Sequence, residues 1–169
     1  MSAMHDYYRA PDRATATWRP SCLRAPAKPF PDAPAFDVVE TKWVDPGGSL
    51  ASLVAVIKGV PYSNDLIKTV TLYPPPEGAP QTEDEWLALP EDSPYREGPE
   101  IEELPASARD TLAEVEDARL PGVARRWTLE PLSTFQEGDD VLDVINELVT
   151  LARRAKESDQ LLYCWWISG

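Results

Sequence analysis

The side chains that could do chemistry are few and far apart. His5 is the sole histidine, and the two cysteines, Cys22 and Cys164, lie near opposite ends of the 169-residue chain. Folding can bring a nucleophile and its base together from any separation in sequence, so His5 with either thiol is the pair to weigh. Cys22 falls in a Pro-rich stretch and Cys164 in an apolar run that demands burial. Neither setting is the electropositive, accessible one that makes a thiolate, and no residue is assigned a catalytic role. A zinc site would need paired His or Cys ligands at short spacing, which the chain lacks. Asp139-Asp140-Asp143 and Glu83-Asp84-Glu85 are rich in oxygen but have neither the alternating ligands nor the turn glycine of a calcium loop. Both read as acidic residues beginning helices, where the helix dipole favours them. Gly47-Gly48 precedes a helix without the Lys-Ser/Thr of a phosphate loop, so no metal and no cofactor is expected.

The charge is more informative than the nucleophiles. The net charge is −13, and residues 77–117 carry 14 Asp/Glu against 2 Lys/Arg, so this one segment holds −12 of it. A concentrated negative field repels nucleic-acid phosphates and anionic membranes and attracts basic partners. Glu83, Asp84, Glu85, Glu100, Glu102 and Glu103 are the residues expected to meet such a partner. Trp86 stands among them beside Leu87, where a large aromatic either pins the segment to the body or anchors a partner. The bland alternative is a solvating face with no partner, but solubility would be served by charge spread over the whole surface.

These residues must be positioned by a core, and its pattern is clearest at Asp139–Ser168. Val141, Ile145, Leu148, Ala152 and Ala155 recur at helical spacing, and Ser158, Asp159 and Gln160 then release the chain into Leu161–Ile167. In that run Leu161, Tyr163, Trp165 and Ile167 point one way and Leu162, Cys164 and Trp166 the other, so both faces need cover and the run is predicted to be an interior strand. His5–Arg9 reads as a first strand, followed by a short helix from Pro11 and Asp12 to about Trp18. Five prolines between Pro20 and Pro34 predict an extended connection. Phe36–Val44 is charged enough to be an edge strand. Asp45-Pro46 starts a helix carrying Leu50, Leu53, Val54 and Ile57, which Gly59 ends in the left-handed conformation.

Ser63-Asn64-Asp65 suggests a turn, and Thr69–Tyr73 another strand. Thr82 and Glu85 form a capping box for a short helix, and Pro90, Pro94 and Pro99 predict that Glu91–Glu103 stays extended. Helices follow at Leu104–Val115 and Leu120–Trp127, then a loop from Pro131 to Gly138. The prediction is α+β in a single domain, residues 1–169: a small mixed or antiparallel sheet with the C-terminal strand interior and helices packed on its faces. An acidic, Pro-rich excursion at about 74–105 leaves that body.

Three pieces resemble the YfbM-like family of small bacterial proteins: the opening Asp6-Tyr-Tyr-Arg9 strand followed at once by a helix, the Asp45 to Gly59 helix, and the helix-to-strand passage from Leu148 to Ser168. They cover less than half the chain. The resemblance implies a fold and no reaction, since the family's activity is unassigned. Members typically carry Trp and His on the middle helix, where this chain has Leu50, Ala51, Leu53, Val54 and Ala55, so a pocket built from such groups is not implied here.

Two functions are compatible with these residues. The first is a non-enzymatic interaction protein that offers its acidic surface to a basic protein, as an immunity protein does to a cationic toxin. The second is a small-molecule binder or enzyme with a pocket between the sheet and the Pro-rich loops, lined by Tyr7, Tyr8 and Trp43. Two cysteines make no disulfide framework, Met1–Trp18 has no apolar core of signal-peptide length, and no apolar run is long enough to span a bilayer. The expected setting is cytosolic, with no nucleic-acid or membrane partner.

Overall fold

The structure is a computed structural model that describes residues 3–17, 36–131, 135 and 140–168. Its centre is a five-stranded antiparallel sheet of order β2-β1-β5-β4-β3. The strands are β1 (Ala3–Ala10), β2 (Val38–Lys42), β3 (Val70–Tyr73), β4 (Glu100–Glu103) and β5 (Leu161–Ser168). The fold is α+β, and β5 is the middle strand, as its two apolar faces require. Tyr7 lies opposite Cys164 in one row of side chains and Tyr8 opposite Tyr163 in the row behind it, so the two faces of the sheet are set by one register.

Among the described residues seven α-helices accompany the sheet: α1 (Arg13–Ala16), α2 (Ala51–Lys58), α3 (Glu83–Leu87), α4 (Pro94–Glu97), α5 (Ala106–Glu114), α6 (Leu120–Thr128) and α7 (Val141–Glu157). On one face Tyr7, Val39, Leu162 and Cys164 meet the buried stripes of α2, α5, α6 and α7, including Leu53, Leu112, Trp127 and Leu148. On the other face Tyr8, Ile101, Tyr163 and Trp165 pack with Ala16 of α1 and with Phe36 and Val38. Most of the helical cover therefore lies on one side.

Local sequence explains several boundaries. Asp12 caps α1, its carboxylate accepting from Thr15 N at 2.7 Å. Asp45 does the same for Ser49 N at 3.1 Å, and the chain makes one wide turn, Pro46–Leu50, before settling into α2. A β-carbon on Gly48 would stand 2.6 Å from the Asp45 carboxylate, so the glycine that lowers helix propensity is the residue that lets the cap form. Gly59 ends α2 at φ 69°, in the left-handed region. Ser63 makes the expected turn, accepting from Asp65 N at 3.1 Å.

The structure corrects the sequence reading at Glu91–Glu103. Ser93 caps α4, Pro94 occupies its first turn, and Gly98 at φ 58° redirects the chain into β4. What reads as an extended excursion thus contains a helix and an interior strand, because the prolines sit at the helix start and in the turn, where a missing N–H costs nothing. The Pro20–Pro34 connection, Cys22, Trp18 and most of the Pro131–Gly138 loop lie outside the described residues.

Candidate functional site

Residues 74–99 join β3 to β4, neighbouring strands, and form an arm on the sheet's far edge from β2. A short turn at Pro76–Gly78 leads to α3, whose N-terminus follows the capping-box sequence with a shift. Thr82 Oγ1 accepts from Glu85 N at 3.1 Å, while the Glu85 carboxylate accepts from Gln81 N at 2.5 Å, one residue earlier than the box requires. Glu83, Asp84 and Glu85 occupy the first turn, where the helix dipole stabilises them, and α3 buries none of its residues.

Arg96 organises the other end of α3. Its guanidinium donates to the carbonyl oxygens of Trp86 at 3.0 Å, Leu87 at 3.3 Å and Leu89 at 2.8 Å, and lies 5.6 Å from the Trp86 ring centroid. One cation therefore satisfies carbonyls at the helix C-terminus and covers an aromatic face. Tyr95 OH donates to Pro75 O at 2.6 Å and closes the base of the arm. The arm is shaped from within, so Trp86 is stacked on Arg96 with 41% of its surface exposed, and Leu87 beside it is 67% exposed. Arg96 was not singled out in the sequence, although it is the only Lys or Arg between Lys68 and Arg109, which is the signal that could have found it.

The remaining acidic residues are placed differently. Glu103 is buried on the α1 side of the sheet, where Arg13 donates two hydrogen bonds to it at 2.9 Å and Tyr163 OH donates at 3.3 Å. Burial, with the Glu103 charge adding to it, pushes the Tyr163 phenol up to about 12. Glu102, on the opposite face, accepts from Thr69 Oγ1 at 2.8 Å. Glu100 is half-buried, and its carboxyl is raised first by burial and then by the charge of Glu102. It lines a 410 Å³ hollow with Val70, Thr71, Pro74, Pro76, Ala79 and Tyr95. The structure brings Glu83, Asp84, Glu85 and Trp86 together on α3, leaves Glu100 at the foot of the arm, and assigns Glu103 to the sheet's own cohesion.

Tyr7 and Tyr8 are fully buried on opposite faces of β1, so they do not line one pocket. Tyr7 OH donates to Val44 O at 2.5 Å and Tyr8 OH to Ala16 O at 2.6 Å, each tying a loop or helix to the sheet. Burial raises both phenols. Trp43 is partly exposed beyond the end of β2, at φ 65°, and none of the four hollows described among these residues includes it. The reading of Tyr7 and Tyr8 as pocket lining is corrected: both are core, with their hydroxyls tied to backbone carbonyls, whereas Trp43 is an exposed side chain at the end of β2.

His5 is buried against Trp166, with ring centroids 5.8 Å apart and planes at 19°, and its Nδ1 has no hydrogen-bond partner among the described residues. Burial lowers its pKa against an opposing pull from Asp45. Cys164 lies one register row away on the same face, its thiol pushed up chiefly by burial. Both shifts oppose moving a proton from the thiol to the imidazole, so the geometry keeps the two groups neutral. Among the described residues no three His, Cys, Asp or Glu are placed to hold a metal ion, and no helix is long and apolar enough to cross a membrane. No family model matches the chain, and neither does a curated protein or a solved structure.

Proposed function

We propose that this is a cytosolic, non-enzymatic interaction protein that uses α3 to bind a basic protein, in the manner of an immunity protein. One observation carries the reading: Trp86 and Leu87 are held out to solvent on a helix whose first turn is Glu83-Asp84-Glu85. An exposed aromatic beside an exposed leucine, framed by like charges, combines an apolar anchor with a steering field. The likeness to the YfbM-like family is proposed as one of fold and of bacterial origin.

The test is capture from a host lysate at low and moderate salt, wild type beside a variant with Glu83→Gln, Asp84→Asn, Glu85→Gln and Trp86→Ala. Glu103 is left intact because it holds Arg13 and Tyr163. A basic partner retained by wild type, weakened by salt and lost by the variant is expected. The loss should reach tenfold or more, since an aromatic anchor contributes about 2 kcal/mol. Equal capture by both proteins would refute α3 as the docking element.

A second reading has its own observation, the 410 Å³ hollow between the sheet and the Pro74–Pro76 loop with Glu100 at its wall. A small ligand with a cationic head would seat there. A thermal-shift screen should find compounds that raise the melting temperature of wild type and leave Glu100→Gln unmoved.

A further inference from the structure

The molecule is acidic as a whole, yet it carries a concentrated basic face. Two hollows of 510 and 460 Å³ lie side by side between α2 and α6, sharing Val56 and Arg126. The first is walled by Ala55, Val60, Pro61 and Tyr62 with Glu130 at its edge, and the second by Arg119, Arg125 and Arg126. All three arginines are exposed. Arg119 donates to Ile57 O at 2.9 Å and Arg126 pairs with Glu130 at 3.2 Å, while Arg125 makes no ion pair among the described residues. Val60 and Tyr62 are exposed large side chains at the rim. A hollow with aliphatic wall residues, edged by guanidinium groups and with its one carboxylate, Glu130, paired to Arg126, can complement an apolar pair edged by carboxylates.

We infer that α3 of one copy seats in the α2–α6 hollow of a second copy, with Trp86 and Leu87 against Val56, Val60 and Pro61 and with Glu83, Asp84 and Glu85 facing Arg119, Arg125 and Arg126. The inference rests on the proposed role of α3 and adds its regulation: the second copy occupies the arm until a more basic partner displaces it. The two surfaces are different, so the contact is heterologous. A five-residue helix makes a small interface, so the association is weak and depends on concentration and salt.

Sedimentation equilibrium over a wide concentration range tests this, at low salt and at about 1 M salt, where the Debye length is roughly 3 Å. The weight-average mass should rise above the 18.8 kDa monomer with concentration at low salt and return to it at high salt. Two variants are compared, Trp86→Ala with Leu87→Ala, and Arg125→Glu with Arg126→Glu. All four side chains are exposed, and circular dichroism should show both variants folded. Each variant alone should remain monomeric, and their mixture should associate, because one keeps the hollow and the other keeps the arm. A monomeric wild type at low salt overturns the inference, as does association that survives the arm substitutions, or a mixture that stays monomeric. If those results arrive while lysate capture still requires α3, the self-contact fails and the basic-partner reading stands. If neither is seen, both fail.

Discussion

His5 illustrates how a single residue writes a pH dependence into the fold. Its imidazole is buried against Trp166 and its pKa is lowered from 6.5 by that burial. The unfolded chain takes up the proton near 6.5 and the folded chain refuses it until lower pH. The His5 contribution to stability is therefore complete above about 6.5 and is lost as the pH falls from there through the folded-state value. Urea unfolding at pH 7 and pH 5 should show wild type losing more stability on acidification than His5→Phe, the difference between the two proteins isolating this group from the carboxylates. Identical losses would mean that His5 is not held neutral. The sequence showed a lone histidine near the start of a strand; its partner Trp166 is set by the register of β1 on β5, which pairwise spacing along the chain does not contain.

Elements with local signals were legible, and those whose signal depends on a partner were not. Asp45, Pro46 and Gly59 bracket α2 because a cap, a fixed φ and a left-handed residue act within one turn of chain. The alternation in Leu161–Ile167 placed β5 inside the sheet because it shows two apolar faces. β4 has no such alternation: Glu100, Glu102 and Glu103 flank one isoleucine, and only pairing with β5, the Arg13 guanidinium and the Thr69 hydroxyl makes the strand tolerable. The candidate site divided the same way. α3 could be read from Thr82 and Glu85, whereas its shape depends on Arg96 ten residues beyond Trp86. Gly59 gives the element-scale test. Its β-carbon would meet nothing within 4 Å, so Gly59→Ala should cost the left-handed backbone penalty alone, about 1 kcal/mol, as a lower urea midpoint. Gly59→Asn should recover part of it.

At the scale of the molecule, cohesion is uneven. The sheet and its helices share two apolar clusters, while α3 lies outside both and is held through Arg96, Thr82 and Glu85. Hydrogen exchange should therefore sort into two classes, with amides of β5 exchanging through global opening and those of 83–89 through local opening. Arg96→Ala should accelerate the second class several-fold and leave the first unchanged; an equal effect on β5 would show that the arm is part of the cooperative core. The order β2-β1-β5-β4-β3 has a consequence for biosynthesis. β1 can pair with β2, and β3 with β4, as soon as each pair has been translated, but strand pairing joins the two ribbons through β5. Until Leu161–Ser168 has left the ribosome, β1 and β4 each present an unpaired edge, and the nascent chain must be kept from pairing those edges with its neighbours.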